Sequence, residues 1–445
     1  MKNSVILCAV LSTIFLCSCK QESTKPAMSK IPQKQANGSY LMSTNPELFK
    51  PTMPALESFP MSAHNGKAKL REVETWHMPD FPRCAPGVLF ENEECKFSDA
   101  GILYALRGLG GNAYSYYDKN DVRHETTQGE LCIIDPTTRW LRKIPVPQPM
   151  NIDGHPDPAA QISSPKHIYL SPEEDMLMEW SIGGNGDQAI ALRNKNDEFT
   201  TWRTPYLEYF MYHSDACLSE DGTWYLIVYS ASVPQEFEIT VYRVEDDASI
   251  TSLSTFIAPG QSSLDTLDVV EISPGILRFI WIEVRKVEAG AFRVWTIDFD
   301  IKKGTWSQPR LLGWDDTFNA FHSCKIYKLP EDRTAYLWFS SPRGTIYYFE
   351  ERMRQPLRLP AGDNKFCSLQ HGDRIVLSYA LDSDPNKINL CVIKDRNVGP
   401  VTSIDLGKRD FGMSAEYIIL GKAGPDQLWF VDTEKKNFHL LEFVE

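Results

Sequence analysis

The stretch Tyr212-His-Ser-Asp-Ala-Cys-Leu-Ser-Glu-Asp-Gly-Thr-Trp-Tyr-Leu-Ile-Val-Tyr229 holds the fold in miniature. Ala216-Cys-Leu218 is a short apolar strand, Ser219-Glu-Asp-Gly222 a turn, and Trp224 to Tyr229 a longer run, apolar on both faces. Asp-Gly supplies the backbone conformation a tight hairpin needs, so the two segments pair antiparallel. A strand apolar on both faces must be covered on both, by neighbouring sheets rather than by water. A third strand follows at Ile239 to Val244.

The same unit recurs along the chain. Its long run returns as Ile102 to Leu106, Met176 to Trp180, Leu277 to Trp281, Ala335 to Phe339, Ile375 to Tyr379 and Leu428 to Val431. The runs lie about 40 to 75 residues apart, mostly near 50, the length of one four-stranded propeller blade. Short strands and turns precede them, as in His167 to Leu170 with Ser171-Pro-Glu-Glu-Asp175, or Val269 to Ile272 with Ser273-Pro-Gly275. A third strand such as Phe292 to Phe299 and a fourth such as Trp306 to Leu312 come after, with third-to-fourth hairpins at Asp135 to Trp140 and Asp300 to Trp306. No amphipathic helical pattern of any length intervenes. The reading is all-β: a seven-bladed β-propeller of four-stranded blades, preferred over a run of sandwiches because one motif recurs so regularly.

The last unit, Tyr417 to Leu420, Leu428 to Val431 and Phe438 to Val444, lacks a fourth strand. An open edge invites aggregation, so a strand from elsewhere must close the ring. Lys69 to Met78, extended and just ahead of blade one, is expected beside Phe438 to Val444.

At the N-terminus, Lys2 and the short apolar run Val5 to Leu16 form a signal-peptide pattern, too short to span a bilayer. It ends in Leu16-Cys17-Ser18-Cys19, which resembles a bacterial lipobox with Cys19 as the lipid (palmitate) acceptor. The expected organisation is signal peptide 1–18, tether 19–68 and propeller 69–445. The tether is polar and punctuated by Pro26, Pro32, Pro46, Pro51, Pro54 and Pro60, with its later part a candidate for docking on the body. This implies an exported lipoprotein held to the membrane by lipid alone. Lys20-Gln-Glu points to the outer membrane by analogy.

Export permits disulfides, and Cys84 with Cys95 is the best candidate pair. Cys217, Cys324, Cys367 and Cys391 sit in apolar strand patterns and read as small buried hydrophobes. No pair has CxxC spacing, and Asp153 to Asp157 lacks the glycine and terminal glutamate of a calcium loop. No metal and no cofactor is expected. The net charge of −13, with no basic stripe, argues against nucleic acid. The 11 Trp, 18 Tyr and 22 Phe suit sheets.

In blade pattern, roughly residues 98 to 445 resemble the sialidase-like propellers with BNR repeats. Ser219-Glu-Asp221-Gly222-Thr223-Trp224 is similar to their Asp-box, though one residue short at two places, and Gly304-Thr-Trp306-Ser-Gln-Pro309 to a fourth-strand opening of the group. That resemblance implies a glycan ligand. The arginine triad, Tyr-Glu pair and acid Asp of sialidases find no match, so the resemblance does not extend to sialic acid hydrolysis.

A propeller offers ligands the funnel at one end of its central channel, so polar residues near the channel strands are the ones to watch. Three groups qualify: Asn151, Asp153, His155 and Asp157 in the loop before blade two; Tyr212, His213 and Asp215 preceding the inner strand of blade three; and His322 and Ser323 preceding that of blade five, with Trp314, Asp315, Asp316 and Asn319 in the loop before. Tyr212, His213 and His322 are candidate acid-base groups. Asp153, His155, Asp215, Trp314 and Asn319 are candidates for binding, with Trp314 stacking on a sugar ring. The ordinary roles of such residues are backbone hydrogen bonding and turn capping. Two functions follow: a module that binds a polysaccharide or a surface protein through its funnel, or a polysaccharide lyase or glycoside hydrolase.

Overall fold

The computed structural model describes residues 33–34, 40–41, 54–79, 95–107, 116–117, 123–124, 130–145, 162–182, 187–201, 212–233, 236–259, 267–284, 292–315, 322–340, 344–362, 366–407 and 418–445. They form a seven-bladed β-propeller of antiparallel four-stranded blades. The innermost strands of blades one to seven are Cys95–Phe97, Ile162–Leu170, Tyr212–Leu218, Leu267–Ser273, His322–Leu329, Cys367–His371 and Ile418–Gly424. A single 3-10 turn, Leu56–Ser58, is the only helical element among the described residues.

Each long apolar run is the second strand of its blade, where both faces meet neighbouring blades. In blade five it is Arg333–Ser340, buried from Thr334 to Ser340. Between blades three and four lies an aromatic core in which Trp306 packs 4.7 Å from Phe299 and 5.4 Å from Phe256. Its indole Nε1 donates to Ser254 Oγ at 3.0 Å, the polar partner a buried Trp requires.

Blade seven is closed as the missing strand demanded. Lys69–His77 pairs antiparallel with Asn437–Val444, with Lys69 opposite Val444 and His77 opposite Asn437. Trp76 stacks on Phe438 at 4.5 Å, and His439 Nδ1 sits 2.8 Å from Glu72 Oε1. Where blade seven meets blade one, Gly421 is obligatory, because a methyl there would overlap the Phe97 ring.

The segment ahead of the closing strand girdles the ring. Tyr40–Leu41 lies parallel to Phe256–Ile257 on the outer edge of blade three. Leu56 is fully buried among Ile280, Ile282, Val294 and Leu312 of blade four and Tyr336 and Trp338 of blade five. It fits against Gly313, where an added Cβ would come within 2.9 Å of it. Ser62 N donates to Arg358 O of blade five at 2.8 Å, and Gly66 N to Val398 O of blade six at 2.8 Å. The Arg358 guanidinium donates to Glu57 O at 3.0 Å and Phe59 O at 2.9 Å. So the later part of the segment read as a tether packs on the body from residue 54 onward. Among the described residues no helix is long and apolar enough to cross a membrane.

Candidate functional site

The inner strands leave a central cavity of about 360 Å³, a size that suits one or two sugar rings. Every blade contributes to its wall. The wall is unlike the cores between blades, because polar groups stand in it: Lys96, His167, Ser214, Asp215, Asp268, Ser323, Lys325, Ser368 and Gln370. Burying such groups is unfavourable unless they find partners, so their arrangement carries information.

Several of these groups lace one blade to the next. Between blades two and three, Tyr169 OH donates to Ser214 O at 3.3 Å, and Ser214 Oγ donates to Glu179, which is 1% exposed. Between blades four and five, Asp268 accepts from Ile326 N at 2.6 Å and pairs with Lys325 Nζ at 3.3 Å. Tyr327 OH and Ser368 Oγ, 2.7 Å apart, join blades five and six. The wall is thereby rigid, which is what a recognition site needs if its polar groups are to be set before the ligand arrives.

Two thiols of the wall, Cys324 and Cys367, are not poised as nucleophiles. Burial pushes Cys367 up to about 11 and drives Cys324 well above the ordinary thiol range. A thiol in that state is protonated at neutral pH and inert. Among the described residues no group of three or more His, Cys, Asp or Glu side chains could hold a metal ion.

One end of the channel is framed by the first-to-second-strand turns. There Lys328 Nζ of blade five donates to Glu220 Oε1 of blade three at 2.7 Å, reaching past blade four. Glu220 N in turn donates to Glu271 Oε2 of blade four at 2.6 Å. Lys422 of blade seven pairs with Asp99 of blade one at the same end. The opposite end is where the innermost strands begin.

The sequence candidates divide accordingly. Asp215 lines the channel, and its Oδ1 accepts from Ala216 N at 2.8 Å. Tyr212 and His213 do not precede the inner strand of blade three: they open it, opposite Ser230 and Tyr229. His322 likewise opens the inner strand of blade five, opposite Ser340. In both blades the next residue, Ser214 or Ser323, is in the channel wall, so both histidines occupy the same end of the channel. Trp314 and Asp315 are not in a loop. They end the fourth strand of blade four, Arg310–Asp315, with Trp314 opposite Arg293, because the pairing with Phe292–Asp300 continues past Leu312. A fourth strand lies on the outside of a blade, so Trp314 is away from the channel. Asp153, His155 and Asn319, with Asn151, Asp157 and Asp316, lie outside the described residues, as does Cys84. Cys95 is buried on the inner strand of blade one.

The sequence reading missed Lys96, His167, Glu179, Asp268, Lys325 and Ser368. A signal existed for two of them. Glu179 interrupts the apolar run Met176 to Trp180, and Asp268 interrupts Leu267 to Val270. A charge placed where the pattern demands burial is retained for a partner or for a ligand. The Asp-box-like stretch proves to be the first-to-second-strand hairpin of blade three. Its Asp221 accepts from Thr223 N at 3.0 Å and Gly222 takes φ 85°, as a tight turn requires.

No protein-family model and no curated protein sequence matches the chain. Solved structures similar to it are themselves distant. Polysaccharide lyase Uly1 is 10% identical, over 79% of this chain and 89% of that one, with a TM-score of 0.44. The fucose-specific lectin from Aleuria aurantia is 12% identical over 64% and 93%, with a TM-score of 0.38. An alpha-L-arabinanase from Penicillium chrysogenum, solved with arabinobiose, is 13% identical over 62% and 92%, with a TM-score of 0.39.

Proposed function

We propose that the protein is an exported lipoprotein, anchored through Cys19, whose propeller binds an extracellular glycan in its central channel. The observation that carries this reading is the channel wall itself. Hydroxyl, carboxylate, amide and ammonium groups from separate blades face one small cavity, the mixture of donors and acceptors that sugar hydroxyls require. A flat protein surface would find little purchase in so narrow a space. The lipobox-like Leu16-Cys17-Ser18-Cys19 supports the anchor. Calorimetric titration with a panel of neutral and acidic oligosaccharides tests the binding. At least one should bind, and Asp215→Asn should weaken it tenfold or more. A panel without a binder, or an unaffected Asp215→Asn protein, overturns the reading. For the anchor, metabolic palmitate labelling of the intact chain should be lost in Cys19→Ala.

A second reading, a polysaccharide lyase or hydrolase, is favoured by one feature: the inner strands of blades three and five both enter the channel as His-Ser, at His213 and His322. Histidine suits proton transfer near neutral pH. If turnover occurs, released reducing ends or unsaturated-uronate absorbance will accumulate, and His213→Ala will abolish it while leaving binding in place.

A further inference from the structure

We propose that the channel's ligand carries an anionic substituent, a carboxylate or a sulfate ester on a sugar ring, and that Lys96 is the group that receives it. This rests on the glycan reading of the same channel.

Lys96 stands on the innermost strand of blade one, Cys95–Phe97, and lines the cavity. The channel's two lysines differ in one respect. Lys325 is held by Asp268 at 3.3 Å, whereas among the described residues the Lys96 side chain makes no ion pair and no hydrogen bond. Both ammonium groups act on the thiol of Cys367 in blade six. The carboxylates Asp215 and Asp268 stand on blades three and four. Lys325 is thus matched by a carboxylate across the blade four–five seam, and Lys96 is not matched by one among the described residues.

Two ordinary uses of such a lysine fail here. It does not stabilise a thiolate, since burial keeps the Cys367 thiol at about 11 despite both lysines. It is not needed for solubility either, because the chain carries a net charge of −13 and a cation opposes that balance. An unpaired ammonium between low-dielectric walls concentrates positive potential inside an acidic protein, and an entering carboxylate or sulfate would gain a charge-assisted hydrogen bond.

The test uses matched pairs that differ only in charge. Oligogalacturonate is compared with its methyl ester, and a sulfated galactan oligosaccharide with its desulfated form, each titrated into the purified protein. In one pair the charged member should bind at least tenfold more tightly, and which pair does so names the anion. Lys96→Met should bring that member down to its neutral counterpart and flatten the salt dependence, while Lys96→Arg should retain the preference. Melting curves of both variants should match the parent, since the side chain has no ion-pair or hydrogen-bond partner among the described residues to lose. If charged and neutral members bind alike, or if Lys96→Met keeps the preference, the proposal is overturned and the glycan reading stands. If no sugar of either kind binds, the glycan reading itself falls and this inference with it.

Discussion

The outer girdle and the channel wall are made by opposite strategies. The girdle, residues 54–77, holds on by three buried side chains, Leu56, Ala68 and Leu70, a few backbone hydrogen bonds and one borrowed strand. The wall places hydroxyls, carboxylates and ammonium groups on strands whose outer neighbours are almost wholly apolar. One region spends polar groups on backbone and apolar groups on burial, as a stabilising element does. The other keeps polar side chains where hydrophobic ones would have packed better. The difference separates what holds the ring from what the ring holds.

Removing residues 1–78 should break the comparison most severely. Blade seven would lose its outermost strand and expose the edge of Asn437–Val444, and the girdle would leave blades four to six. The expected outcome is loss of cooperative unfolding in thermal melts, with aggregation. A truncation that melts like the parent would show that the ring does not depend on its closing strand.

Leu56→Ala comes next. Leu56 is fully buried between blades four and five, and such truncations cost about 2–5 kcal/mol. Chemical denaturation should register that loss while sugar binding in the folded protein stays unchanged. Asp268→Asn should show the converse. The buried carboxylate anchors Ile326 N and Lys325, so a stability loss of about 1–3 kcal/mol should accompany altered binding.

Acid should act weakly on the seam. Burial raises the Glu72 carboxyl, but the hydrogen bonds from Thr75 and His439 and the charge of His439 outweigh it, leaving Glu72 below the usual glutamate range. A depressed carboxylate contributes stability above its unfolded value, about 4.3, and that contribution fades as pH falls through the lower folded value. Glu72 is 44% exposed, so the effect should stay under about 1 kcal/mol. Comparing the acid limb of stability in the parent and in Glu72→Gln measures it, and identical limbs would remove Glu72 from the seam's energetics.

The smallest effect is expected of thiol reagents. Cys217, Cys324 and Cys391 are buried and shifted upward by burial, so they should react with a thiol probe only after denaturation. Labelling of any of the three in the native protein would mean that the blade cores open.

Much of this architecture was legible in the sequence, and for a local reason. A hairpin is specified by neighbouring residues: Asp221-Gly222 makes its turn because only those few positions must take the right backbone angles. Repetition of such units announced the blades, and the incomplete last unit announced Lys69–His77 as the closing strand. Pattern reading erred at strand ends, where Tyr212 was set ahead of its strand and Trp314 given to a loop, because pairing there continues beyond the apolar core that marks a strand in sequence. The girdle was half legible: proline and polarity announced an irregular segment, but one leucine's burial against Gly313 depends on a groove between two distant blades. The site was least legible of all. Lys96, Asp268 and Lys325 are far apart in the chain, and only closure of the ring brings them to one cavity. Local hydrogen bonding and side-chain periodicity are written residue by residue, so the sequence determined the blades and their number. Convergence across the channel is a property of the closed ring, so only the tertiary structure decided which charges meet.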